Sequence, residues 1–157
     1  MSERLFELIS EEDLERLQEL AIEEHENFFK RNPHLKEAYH NSLMGIALCQ
    51  GAALHYINHI TGINDFDIWL FYEEDPKVKF WCRHRKSIEN GYKGRRIDFL
   101  RRAIERDLCG RNFDDPEKCI MEYLHKRDTE TKRLLLKKAI VGLFPDRIFG
   151  RVIWSGR

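Results

Sequence analysis

The sequence predicts one α/β domain, a sheet with helices before and after it. Three observations carry this reading. The first forty residues place apolar side chains at helical spacing. The middle third holds short apolar and β-branched runs separated by Gly, Asn and Pro, the pattern of strands and turns. The last third returns to helical spacing. At 157 residues, with no internal repeat, low-complexity tract or flexible linker, the chain 1–157 suits a single domain.

Each element has its own signal. Ser10 followed by Asp13 resembles a helix cap, and Leu14, Leu17, Leu20, Ala21 and Phe28 recur on one face behind it. Asn32-Pro33 ends that helix, and a shorter one follows over 35–40. Residues 43–49 form an apolar run of strand length. After Gly51, Leu54, Ile57 and Ile60 mark a helical face that stops at Gly62. Residues 65–72, aromatic and branched, read as a strand that ends in an acidic turn at Pro76. Residues 77–81 alternate like a further strand, Asn90-Gly91 and Gly94 mark turns, and 95–100 read as another strand. Asp115-Pro116 starts a helix in which Ile120, Met121 and Leu124 would face the core. Thr129 caps a second helix carrying Leu134, Leu135, Ala139 and Leu143, which runs until Pro145. The tail, 148–154, has the pattern of a short docking strand.

Composition excludes some classes of protein. Apolar residues make up 42% and charged residues 34%, an ordinary soluble balance. No apolar run approaches the roughly 20 residues that span a bilayer. The acidic, amphipathic N-terminus lacks the basic start of a secretion signal. A cytoplasmic protein without a membrane partner is the expectation. Cys49, Cys82, Cys109 and Cys119 show neither Cys-x-x-Cys nor zinc-ribbon spacing, so reduced, structural thiols are expected.

Charge is unevenly spread although the total is zero. Residues 1–30 hold ten acidic and three basic side chains, and residues 77–106 hold eleven basic and three acidic. Either the two segments face each other, within the fold or across a homodimer, or the basic segment meets phosphates.

The chemistry lies in the carboxylates. Asp65 and Asp67 are two apart on a strand, so both point to one face. Two like charges this close call for a counter-charge, and a divalent cation suits their hard oxygens. Asp98 stands between Ile97 and Phe99 in a strand that should otherwise be buried. A buried lone carboxylate is costly, so Asp98 either pairs with Arg95, Arg96 or Arg101 or joins the other two acids at one site.

With these residues the chain resembles the nucleotidyltransferase superfamily, the DNA-polymerase-beta-like fold. Gly51-Ala52 opens a helix after an apolar run, Asp65-Phe66-Asp67-Ile68 follows, and Ile97-Asp98-Phe99 comes later. The resemblance covers a catalytic core of about 43–104, with helical flanks at 1–42 and 105–157, and implies a small mixed sheet. It implies magnesium, with manganese as the alternative, held by Asp65, Asp67 and Asp98. The reaction it implies moves a nucleoside monophosphate from a nucleoside triphosphate to an acceptor that the sequence does not identify. Gly51 and Ala52 would bind the nucleotide's phosphates, with Lys93, Arg95 or Arg96 neutralising them. Two positions depart from the family pattern. Gln50 is polar where an apolar residue is usual, and Ala52 stands where Ser or Gly is preferred, which leaves phosphate binding to backbone amides. A catalytically silent relative that binds a nucleotide or protein partner is the alternative, and a metal-dependent nuclease is a third reading.

Other signals carry less. His55 and His59 share a helix face, but a zinc site needs further ligands. Trp69, Phe71 and Tyr72 fit a core better than a base-stacking platform. The run Arg83-His84-Arg85-Lys86 reads as a solvated charged face, and Gly91-Tyr92-Lys93-Gly94 is not a phosphate-binding loop of the Gly-Lys-Ser/Thr type.

Overall fold

A computed structural model of the chain describes residues 4–79, 85–105, 114–126 and 130–156. The order of elements is α1 (Glu11–Arg31), α2 (Pro33–Tyr39), β1 (Leu43–Cys49), α3 (Gln50–Asn58), β2 (Asp65–Glu73), β3 (Lys86–Tyr92) and β4 (Arg95–Ile104). They are followed by α4 (Pro116–Lys126), α5 (Glu130–Lys137), β5 (Ala139–Phe144) and β6 (Val152–Ser155). One mixed six-stranded sheet runs β3-β4-β2-β1-β5-β6. Only β2 and β4 are parallel, and every other neighbouring pair is antiparallel.

Alternation along the strands builds two cores, one on each face of the sheet. Phe66, Ile68, Leu70 and Tyr72 of β2 join Ile97 and Phe99 of β4 on one face, against Leu14, Leu17, Ala21, Phe28 and Phe29 of α1. Trp69 and Phe71 of β2 join Ile104 on the other, against Cys119, Ile120 and Tyr123 of α4 and Leu135 of α5. Asp65 and Asp67 share the parity of Trp69 and Phe71, and Asp98 shares that of Ile104. All three acids therefore belong to the second face.

The N-terminal expectations hold. Ser10 and Asp13 form a reciprocal capping box at α1, and α2 starts at Pro33. The acidic and basic segments meet within the fold. Lys93 lies 2.7 Å from Glu7 and 3.4 Å from Asp13, and buried Arg101 pairs with buried Glu24.

Four expectations need correction. Ala139 and Leu143 do not extend the helix of Leu134 and Leu135. That helix ends at Lys137, and β5 runs alongside β1. Leu135, Ala139 and Leu143 are four apart, so they imitate a helical face. In β5 it is Ala139, Val141 and Leu143 that share a face and enter the first core. The C-terminal flank thus adds two strands to the sheet, β6 being the expected docking strand of the tail. Residues 77–79 form no strand, only an isolated bridge between Asp75 and Val78, while Phe80 and Trp81 lie outside the described residues. Asn90-Gly91 lies within β3 and is no turn. Asn90 adopts φ +51° where the β3–β4 register shifts, and Lys93-Gly94 makes the reversal. Thr129 lies outside the described residues, as do Cys82 and Cys109. Cys49 is a buried free thiol, but Cys119 is disulfide-bonded, contrary to the expectation of reduced cysteines. No helix among the described residues is long and apolar enough to cross a membrane.

Gly142 in β5 sits where the chain folds back on itself. A Cβ there would lie 2.1 Å from the carbonyl oxygen of Ile148. Neither backbone can yield easily, because Gly142 donates to Arg151 and accepts from Gly150. Gly142→Ala is expected to destabilise the protein by about 1–3 kcal/mol, the usual cost of overpacking. Chemical denaturation of both proteins measures this.

Candidate metal centre

β2 and β4 run parallel with Asp67 directly beside Asp98 and Asp65 beside Arg96. This register brings the acids together from two strands. Asp65, Asp67 and Asp98 each offer a carboxylate oxygen within 4.8 Å of the others. They line a cleft of about 360 Å³, with Gln50 and Gly51 at the start of α3, Trp69 and Leu100 from the sheet, and Leu134 and Lys138 at the end of α5 and just beyond it.

Asp98 is 1% exposed and does not stand alone. Ser87 of β3 donates to it at 2.6 Å. The Arg85 guanidinium lies 3.1 Å from one of its oxygens and that of Arg96 lies 3.2 Å from the other. Arg96 also donates to Asp65 at 3.1 Å, so it bridges the two outer acids. Asp67 lies between them with less compensation. Burial first, then the charges of Asp65 and Asp98, push its carboxyl up to about 7, and Arg85 offsets only part of this. The buried Cys49 thiol beside it is also pushed well up, by burial and then by the Asp67 charge. Asp67 is therefore the acid with the least compensating charge, and the cluster's donors are all carboxylate oxygens. Such a donor set fits a hard divalent cation.

The expected phosphate-binding residues divide. Gly51 lines the cleft. Ala52 is 1% exposed, and its methyl group belongs to the first core, so only its backbone N–H in the uncapped first turn of α3 is left for a ligand. Arg96 is at the acids. Arg95 lies on an adjoining cleft and donates to the backbone and side chain of Asn64 at 2.7 and 3.0 Å. Lys93 lies apart, spent on Glu7 and Asp13.

Sequence reasoning missed Ser87, Arg85 and Lys138. β3 reads Lys-Ser-Ile-Glu-Asn-Gly-Tyr, a weak strand former, so nothing in it announced an edge strand beside Asp98. Arg85, read as part of a solvated face, turns to Asp98. Lys138 was hidden by extending the last helix through it. The histidine pair does not form a site. His55 is buried, bonded through Nε2 to the Glu7 carbonyl and through Nδ1 to the Gly62 N–H, while His59 closes α3 at φ +64° and is exposed. A second cluster, His25, Glu26 and His40, brings its ligand atoms equally close, but it is a closed network. His25 bonds Tyr72 and the His40 carbonyl at 2.8 and 3.1 Å, and His40 bonds Glu26 at 2.8 Å.

Comparison of the chain with protein-family models, with curated proteins and with solved structures found no match.

Proposed function

We propose that the protein is a magnesium-dependent nucleotidyltransferase that moves a nucleoside monophosphate from a nucleoside triphosphate to an acceptor hydroxyl. The observation that carries the reading is the meeting of Asp65, Asp67 and Asp98 across the β2–β4 register, in a cleft that also holds the start of α3. Asp65, Asp67 and Asp98 would hold the cation. A divalent ion bound there supplies positive charge to the attacking and leaving oxygens of an in-line displacement. The chain's own groups do the rest. Ser87 fixes the Asp98 carboxylate, and Arg96 holds Asp65 and Asp98 at a constant separation. The first-turn amides of α3, which no side chain caps, would face the developing negative charge of the phosphate chain.

A second reading rests on the arginines. Arg85 and Arg96 already neutralise Asp98 and Asp65, which a silent, nucleotide-binding protein would retain without a metal. One experiment separates the two. The protein is incubated with each labelled nucleoside triphosphate and magnesium or manganese, and pyrophosphate release and self-labelling are followed, with Asp67→Ala as control. Metal-dependent release that disappears in the variant supports transfer. Nucleotide binding without release supports the silent protein, and release that survives Asp67→Ala overturns the assigned site.

A further inference from the structure

We infer that Lys138 is a phosphate-binding residue of this cleft, seated opposite Gly51 to hold the end of a polyphosphate chain; the inference rests on the nucleotidyltransferase reading. Lys138 joins α5 to β5 and lines the same cleft as the three acids. Its charge is uncommitted. Arg85 and Arg96 are held by carboxylates, whereas the Lys138 ammonium makes no ion pair or hydrogen bond with a described residue.

It lies across the cleft from Gly51. A Cβ on Gly51 would meet only the Lys138 Nζ, at 3.8 Å. Neither packing nor a left-handed φ requires glycine there, yet glycine in a helix weakens it relative to alanine. What glycine does provide is an open space between a lysine and the first turn of α3, whose amides no side chain caps. A free cation on one side and unpaired N–H groups on the other make a seat for an anion.

A second observation in the cleft also asks for a ligand. Trp69 is 4% exposed and lines the cleft, and its buried indole N–H has no hydrogen-bond partner among the described residues. Buried donors are almost always paired. A bound molecule carrying acceptor oxygens meets that requirement as well as the charge on Lys138.

Inorganic tripolyphosphate is the probe, because it tests the seat without a nucleoside. Its binding to the full chain with magnesium is measured by calorimetry for wild type, Lys138→Gln, Lys138→Arg and Lys137→Gln. Lys137, exposed on the last turn of α5, controls for net charge. Loss of a charged hydrogen bond corresponds to about tenfold or more in affinity. The expected result is that weakening in Lys138→Gln, substantial recovery in Lys138→Arg, little change in Lys137→Gln, and equal melting temperatures throughout. Equal affinity in Lys138→Gln and wild type overturns the inference, as does absence of tripolyphosphate binding to wild type. Pyrophosphate release from nucleoside triphosphates, measured on the same samples, judges the transferase reading separately. Release that persists unchanged in Lys138→Gln leaves that reading standing and removes Lys138 from it.

Discussion

On the proposed transferase function, Asp67→Asn is expected to remove metal-dependent pyrophosphate release; on any reading, in the absence of metal, it is expected to raise the melting temperature. The two effects have one cause. Asp67 is the carboxylate least compensated by its neighbours, with its pKa pushed up to about 7 from an ordinary 3.8. Above pH 7 the folded protein holds it ionised against burial and against Asp65 and Asp98. Asparagine removes that charge and keeps a donor for the hydrogen bond that Asp67 shares with Asp65.

The sign follows from linkage. Between about pH 4 and pH 7 the folded state binds more protons at Asp67 than the unfolded state does, so this group's contribution to stability falls as pH rises. The penalty is negligible below the unfolded pKa and complete above the folded one. The variant's advantage in melting temperature, measured in EDTA, should therefore be small near pH 4 and grow to a plateau above about pH 7. Each kcal/mol corresponds to about 2–4 °C for a chain of this size. Magnesium should raise the wild-type melting temperature at pH 8 and leave Asp67→Asn unmoved. Activity should fall by on the order of 10²-fold or more, the scale seen when one group that stabilises transition-state charge is removed. An advantage that is the same at pH 4.5 and pH 8 would show that Asp67 is not the strained carboxylate of the centre.

How much of this site was legible in the sequence depends on the range of the signal. Asp65 and Asp67 were readable as a pair because strand alternation is a local rule. Asp98 was readable because a carboxylate between Ile97 and Phe99 breaks a pattern. That Asp98 lies beside Asp67 follows from the parallel register of β2 and β4, which no local rule specifies. The partners of Asp98 were harder still. Arg96 is two residues away, but Ser87 and Arg85 reach it only because a polar segment pairs as an edge strand. The fold shows the same division. The capping box of α1, its end at Asn32-Pro33 and the runs of β1 and β2 are local. β5 was misread because its sequence satisfies helical and strand periods together, and only the vacant edge of β1 decides between them.

The buried ion pair behind the sheet supplies the second large effect. Glu24→Ala is expected to destabilise the protein by about 3–5 kcal/mol, the cost of leaving one member of a buried pair without its partner. Arg101 is 1% exposed and Glu24 5%. The Arg101 guanidinium donates to the Glu24 carboxylate and stacks 4.0 Å from the centre of the Phe28 ring. Glu24 also receives Arg31 in a bidentate contact at 2.7 and 3.2 Å. Arg31 is partly exposed and can return to water when Glu24 is lost. Arg101 has no such outlet, since β4 holds it between the sheet and α1. The double variant Glu24→Leu, Arg101→Met should therefore recover most of the stability, because two apolar side chains of similar length leave no buried charge behind. Urea denaturation of the single and double variants measures both values. The consequence reaches the acidic cluster through β4, where Arg101 follows Asp98 by three residues and faces the opposite side. In Glu24→Ala, activity per folded molecule should stay near wild type while the folded fraction falls with temperature. If the specific activity of the folded fraction falls as well, the Glu24–Arg101 pair also sets the position of Asp98, and the two faces of the sheet are coupled through that strand.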